Sequence, residues 1–260
     1  MTLPAPLPAF HWSSEPWGAA LRCSPLQAAA QHAFTSKQLQ LPSDEAWRGA
    51  AASVGAPPDR VVHIKQVHGN RVRILRRGDV AAEAHRERPE ADAIASDEPG
   101  LVLAVVVADC VPILIVDPVA GAAAAVHAGW RGTCARVAAA AVQTMRGDLG
   151  CDPRHLVAAI GPSVGPGDYE VGAMLIDAFR DAGHPAADID RWFDRTRPKP
   201  HLDLWSANRD QLARAGIPRD HIYICGLSTV SHPDVFASYR VAGERAGRMA
   251  GLVVVPAAQS

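Results

Sequence analysis

The chain has 260 residues, 48% of them hydrophobic and 20% charged, with a formal net charge of −1. That balance excludes a chain too polar to fold and a broadly basic nucleic-acid surface, and leaves enough length to bury a large core without covalent staples. Cys23, Cys110, Cys134, Cys151 and Cys225 are widely spaced and odd in number, which fits a reducing compartment better than a disulfide framework.

Residues 1–20 are Pro-rich and punctuated by Trp, and read as a lead-in segment with room for an early strand. They lack a basic stretch followed by an apolar one, so a cytoplasmic protein is expected. Next, "SDEAWRGAAASV" predicts a helix over 43–54: Ser43 caps it, acidic residues fill the first turn and Ala sustains it. "VVHIKQVHGNRVRIL" predicts an extended segment to Gln66, a turn at His68–Asn70 and a strand alternating Val72 and Ile74. The polar "RRGDVAAEAHRERPEADAIAS" reads as a loop with a short helical piece.

The apolar run that follows contains Asp109, Pro112, Asp117 and His127, groups that a bilayer span would have to desolvate, so core strands are expected rather than a membrane segment. Three strands are predicted, over 101–107, 111–116 and 122–126, with "DPVAG" turning the chain between the last two. If Pro118 and Val119 form a two-residue tip, Cys110 lies opposite His127 on one face of the hairpin. "RGTCARVAAAAVQTMRGDLG" predicts one helix ending near Gly147. Beyond it come a strand over 155–160, a tight "GPSVGPG" turn and a helix over 169–182. A loop through "HPAADIDRWFDRTRPKP" leads to a helix capped near Asp203 and stopped at Gly216, then strands at "HIYICGLST" and the C-terminal "GLVVVP". No repeat or linker divides this order, so residues 1–260 are read as one mixed α/β domain.

Cys110 and His127 are the pair with the most direct local argument for chemistry. With His68 they make two imidazoles and one thiol, a donor set suited to Zn²⁺ with a fourth position left open. The spacings are far wider than those of a zinc-finger knuckle, so the fold has to assemble the set. Asp109 is placed either to orient a ligand and accept a proton, or to close a strand-end turn. Arg131 and Trp130 offer an anion contact and an aromatic cover, with core packing the alternative for Trp130. The same atoms admit a cysteine hydrolase in which His127 activates Cys110. They also admit a zinc-stabilised interaction protein without turnover. Neither a P-loop nor a dinucleotide fingerprint is present.

The ordered motifs "QVHG", "ADAIASDEPG", "ADCVPILIVDP", "VHAGWRG", "AIGPSVGPGDYEVG" and "HPDVFASYR" resemble those of the bacterial laccase-domain family, also called polyphenol oxidases or zinc-dependent purine nucleoside phosphorylases. The resemblance implies a four-layer α/β/β/α sandwich and metal ligands at His68, Cys110 and His127. It also implies phosphorolysis of adenosine and inosine, with adenosine deamination as a further activity. The implied partners are purine nucleosides and phosphate, with no nucleic acid and no membrane. On this reading Cys110, His127, Asp109 and Arg131 are the catalytic candidates, and Lys37, Gln66, Trp130 and Arg240 are the substrate contacts. Lys37 stands in "AFTSKQLQL", where the family often carries an arginine, and Arg240 is followed by Val241 where it often pairs two. Zinc is the expected cofactor, with copper an alternative occupant. Three separate copper sites would need more histidine ligands than this sequence supplies.

Overall fold

A computed structural model describes residues 2–78 and 88–258. The short helical piece expected in the polar loop lies outside the described residues. In chain order the first elements are β1 (Phe10–Glu15), β2 (Gly18–Cys23), α1 (Ser24–Gln27), β3 (His32–Thr35), α2 (Asp44–Ser53), β4 (Val61–His63) and β5 (Val72–Leu75). The central region supplies β6 (Ala93–Ser96), β7 (Val102–Val107), β8 (Val111–Asp117), β9 (Ala122–Ala128), α3 (Trp130–Cys134), α4 (Val137–Asp148) and β10 (Val157–Ile160). The last part adds α5 (Met174–Asp181), α6 (Ala186–Trp192), β11 (Phe193–Asp194), β12 (His201–Leu202), α7 (Leu204–Arg214), β13 (Ile222–Ile224), α8 (Tyr239–Ala242) and β14 (Met249–Val254).

Two six-stranded sheets carry the fold, one in the order β1-β2-β3-β14-β7-β4 and the other in the order β13-β10-β8-β9-β6-β5. The alternation along β8 shows how they stack. Leu114 and Val116 join Leu21, Phe34, Leu103 and Val105 in a core between the sheets, whereas Val111, Ile113 and Ile115 pack against Val137, Ala141 and Met145 of α4. On the outer face of the first sheet, Ala46, Ala50 and Ala51 of α2 cover Ala104, Ala250 and Leu252. The four layers are therefore helix, sheet, sheet, helix. All seven residues of β8 and of β9 are buried, which explains an apolar run too continuous for a strand with one wet face.

Several expectations are corrected. The lead-in does hold the expected early strand, β1, but it is also part of the core architecture: β1 and β2 form a hairpin, and β2 continues the first sheet through β3. The strand expected at Val72 and Ile74 forms as Val72–Leu75, in the other sheet from the segment before it. β4 joins β7 in one sheet and β5 joins β6 in the other, so the chain changes sheet between them. The end of the polar loop, Ala93–Ser96, is a strand sandwiched between β5 and β9. The single helix expected after Arg131 is broken into α3 and α4 at Arg136, whose φ of 62° is left-handed. The helix expected from Tyr169 starts only at Met174, because Tyr169–Val171 is held extended: Leu202 N–H donates to Tyr169 O and Val171 N–H to Pro200 O. Within the expected loop of 184–200, α6 forms behind Pro185 with Asp188 in its first turn.

The turn at "DPVAG" forms, but as a four-residue loop. Asp117 Oδ1 accepts from Val119 N at 2.9 Å and Ala120 N at 3.0 Å, and Gly121 supplies a φ of 69°. A side chain at Gly121 would stand 2.4 Å from the backbone of Ala258. In the resulting register Pro112 faces His127 and Val111 faces Ala128, so Cys110 lies one step beyond the ladder rather than directly across from His127. The shift is two residues, and an even shift keeps every side chain on its face. The inference that both point the same way survives.

Candidate metal centre

His127 stands near the end of the buried strand β9, and Cys110 leads into β8 beside it. His68 comes from the loop between β4 and β5, where it has a φ of 62°. Their ligand atoms all lie within 4.8 Å of one another, and the two imidazole rings sit edge to face with centroids 4.8 Å apart. The cluster runs from buried His127 through half-buried Cys110 to exposed His68, so it opens to solvent on the His68 side. Gly129 makes the convergence possible: a Cβ there would lie 2.8 Å from Cys110 Sγ and 3.1 Å from His68 Cδ2.

The residue the sequence reading missed is Asp92, fully buried just before β6. Its Oδ1 accepts from His127 Nδ1 at 2.9 Å and from His68 N at 2.8 Å, while Oδ2 accepts from Gly69 N at 2.6 Å. Its backbone carbonyl accepts from His127 N at 2.8 Å. One carboxylate thus fixes the ring of one candidate ligand and the backbone of another. With Nδ1 of His127 occupied, Nε2 is the nitrogen left for a metal, the arrangement by which a carboxylate sets tautomer and basicity in histidine metal sites. The only advance signal was an acidic residue opening an Ala-rich strand inside "ADAIAS".

The electrostatics agree with this geometry. Burial pushes the Cys110 thiol up, but hydrogen bonds from His127 and His68 outweigh it and leave the thiol at about 6. Burial pushes His127 down, yet Asp92 and then Cys110 hold a proton on the ring and raise it to about 9. Asp92 is pushed up by burial and, on balance, held below the usual carboxylate range by His127 and the N–H of Gly69. Two imidazoles and one thiolate, backed by a carboxylate, suit Zn²⁺ with three protein ligands and an open position, and metal binding would displace the proton that Asp92 and Cys110 hold on the His127 ring. Among the described residues this is the one group of three or more His, Cys, Asp or Glu able to hold a metal.

The other expected site residues are placed as follows. Gln66 is half-buried and fully engaged: Nε2 donates to Val106 O at 2.7 Å and Oε1 accepts from Val106 N at 2.8 Å, which extends the end of β7 and fixes the segment carrying His68. Asp109 has a φ of 81°; Oδ1 accepts from Thr229 Oγ1 at 2.6 Å and Oδ2 from Arg240 N at 2.7 Å. Arg131 is exposed and lies 4.3 Å above the Trp130 ring. Arg240 lies 5.1 Å from the Tyr169 ring centre and donates from Nη2 to Glu170 O at 2.7 Å. Lys37 is exposed and bonds to Pro233 O, which ties it to the C-terminal segment. Cys225 is buried and pushed up to about 12 by burial, as befits a core thiol.

The fold and this cluster define a layered α/β protein with one His-Cys-His centre. Residues 41–256 match the family model described as multi-copper polyphenol oxidoreductase laccase, and the chain belongs to that family. It is 40% identical over 205 residues to a purine nucleoside phosphorylase of Streptomyces coelicolor, covering 78% of each chain. It is 35% identical over 209 residues to the purine nucleoside phosphorylase YlmD of Geobacillus stearothermophilus, covering 79% of this chain and 76% of that one. The crystal structure of YlmD from that organism superposes with a TM-score of 0.82 at 30% identity over 94% of this chain and 98% of the other. No helix among the described residues is long and apolar enough to cross a membrane.

Proposed function

We propose that the protein is a zinc-dependent purine nucleoside phosphorylase acting in the cytoplasm on adenosine and inosine. The observation that carries the reading is Asp92 behind His127, which turns a chance grouping of His68, Cys110 and His127 into a supported metal centre. The names of the relatives supply the substrate class. His68, Cys110 and His127 would hold the zinc, which would supply a Lewis acid. Copper, which the family description names, is an alternative occupant of the same three donors.

Phosphorolysis joins a phosphate oxygen to C1′ of the ribose as the C1′–N9 bond breaks. The purine leaves with the electron pair and takes up a proton. This chain's contribution is to position an anion and orient the base. Arg131 and Arg240 are the cationic groups that hold phosphate, and Trp130 with Tyr169 forms the aromatic wall. Gln66 acts by fixing the His68 segment, since both its polar atoms are spent on Val106. Lys37, exposed and donating to Pro233 O, is a further cationic candidate for the phosphate. Adenosine deamination, in which the oxygen of water bonds to C6 of the purine and the amino group leaves as ammonia to give inosine, is the second activity of the same centre.

Purified, metal-quantified protein given inosine and phosphate should release hypoxanthine and ribose 1-phosphate in equal amounts, and neither without phosphate. Adenosine without phosphate should yield inosine if deamination accompanies it. Absence of free base and of inosine across several pH values and metals would overturn the assignment.

One observation favours a second reading. Asp92, His127 and Cys110 also form a carboxylate–imidazole–thiol relay, with the thiol lowered to about 6. A cysteine hydrolase of that kind would turn over after chelation and carry a covalent adduct on Cys110. Loss of all turnover on chelation decides for the metal.

A further inference from the structure

Asp109 is held in a backbone conformation that side chains rarely adopt, at the residue before a metal ligand. Three separate segments meet on it. Its carbonyl accepts from Val164 N at 2.9 Å, its Oδ1 from Thr229 Oγ1, and its Oδ2 from the backbone N–H of Arg240. Thr229 is itself buried and anchored, since its N–H donates to Ser163 O at 3.0 Å. Both carboxylate oxygens are therefore spent on donors from the C-terminal part of the chain, which is a poor arrangement for a group that must exchange protons with substrate.

The far end of the same connection is Arg240. Its guanidinium lies over Tyr169, and among the described residues only Nη2 is hydrogen-bonded, to Glu170 O. Its remaining donors face no protein acceptor there. The Arg240 guanidinium stands 5.1 Å from the Tyr169 ring centre, and the backbone N–H of the same residue lies 2.7 Å from Oδ2 of Asp109, the neighbour of Cys110 in the chain.

We propose that Asp109 is a positioning residue: by gripping Thr229 and the backbone of Arg240 it holds the Arg240 guanidinium beside the Cys110 centre, and this clamp sets the affinity for phosphate. The inference rests on the reading of the site as one that accepts phosphate. It assigns Asp109 no proton transfer, and it makes Thr229 and Arg240 one unit with it.

The test uses zinc-loaded protein and inorganic phosphate, first by calorimetric binding without nucleoside and then by steady-state kinetics with inosine. Asp109→Asn is the informative variant, because Asn tolerates a positive φ and still accepts from Thr229 but turns an N–H₂ group toward the Arg240 N–H. Asp109→Asn and Arg240→Ala should each weaken phosphate binding about tenfold, the double variant no more than either, and Thr229→Val about threefold. The KM for phosphate should rise in step while kcat changes less. If Asp109→Asn loses zinc, Thr229→Val combined with Arg240→Ala carries the same non-additivity test. Multiplying effects, or a collapse of kcat with phosphate affinity unchanged, would overturn the clamp, as would wild-type protein that fails to bind phosphate. Wild-type protein that binds phosphate with the predicted pattern but forms no ribose 1-phosphate would instead overturn the phosphorylase reading and leave the clamp standing.

Discussion

His32 on β3 and His127 on β9 are buried imidazoles on interior strands, one in each sheet, and they are driven in opposite directions. Burial dominates at His32 and lowers it to about 4; the Ala30 carbonyl opposes that shift, while Arg22 and His11 add to it. Its hydrogen bonds match a neutral ring, with Nε2 accepting from Cys23 N at 2.8 Å and Nδ1 facing Ala30 O at 3.2 Å. At His127 the same burial is overcome because Asp92 and Cys110 face the two sides of the ring. A histidine enclosed by backbone and a cation is a structural spacer. One enclosed by a carboxylate and a thiol is a candidate ligand or acid-base group.

The most severe way to break the distinction is Asp92→Asn, which removes the charge behind His127 but keeps its volume. Zinc affinity should fall by about 10- to 100-fold, read in a competition titration with a chelating dye. A drop of under twofold would make Asp92 a bystander. Next comes Gly129→Ala, whose Cβ would stand 2.8 Å from Cys110 Sγ. Displacing the thiolate should cost on the order of tenfold in zinc affinity with little change in melting temperature, because the strand ladders do not depend on this position.

His32 sharpens the comparison through pH. Its folded value of about 4 lies below the 6.5 of an exposed histidine, so between those values the unfolded chain binds the extra proton. Stability is therefore whole above pH 6.5 and falls as pH drops toward 4, by at most about 3 kcal/mol from this group. Urea unfolding at a series of pH values should show that slope, and His32→Gln should flatten it. The smallest effect is expected from Lys37→Ala, an exposed side chain bonded to one carbonyl, at under about 0.5 kcal/mol in the same unfolding experiment.

What could be read from the sequence depended on how local the signal was. The helix over 44–53 with Ser43 as its cap, the cap at Asp203 and the three central strands all follow from short-range chemistry, and the structure bears them out. The β8–β9 register was misplaced by two residues because nothing in "DPVAG" distinguishes a two-residue tip from a four-residue loop, and the even error left the facing of Cys110 and His127 intact. Strand β6 was hidden because "AIAS" is only four residues long, with Ile94 its single β-branched residue among small ones. Its place is fixed by β5 and β9 on either side. The helix α6 was hidden by the charged residues around it, which turn out to serve ion pairs such as Arg191 with Asp188 and Asp210. Asp92 could not be singled out because its partners reach it only through pairing distant in sequence: His127 by way of β9, and His68 and Gly69 by way of the loop that leads into β5.

On the proposed reading His68, Cys110 and His127 together hold one metal ion. Elemental analysis of the purified wild-type chain, set beside Cys110→Ala, tests it most directly. The expected result is one zinc ion per chain in the wild type and none after the substitution, with both proteins folded by circular dichroism. Wild-type protein without stoichiometric metal after exposure to zinc, or Cys110→Ala that keeps its ion, would contradict it.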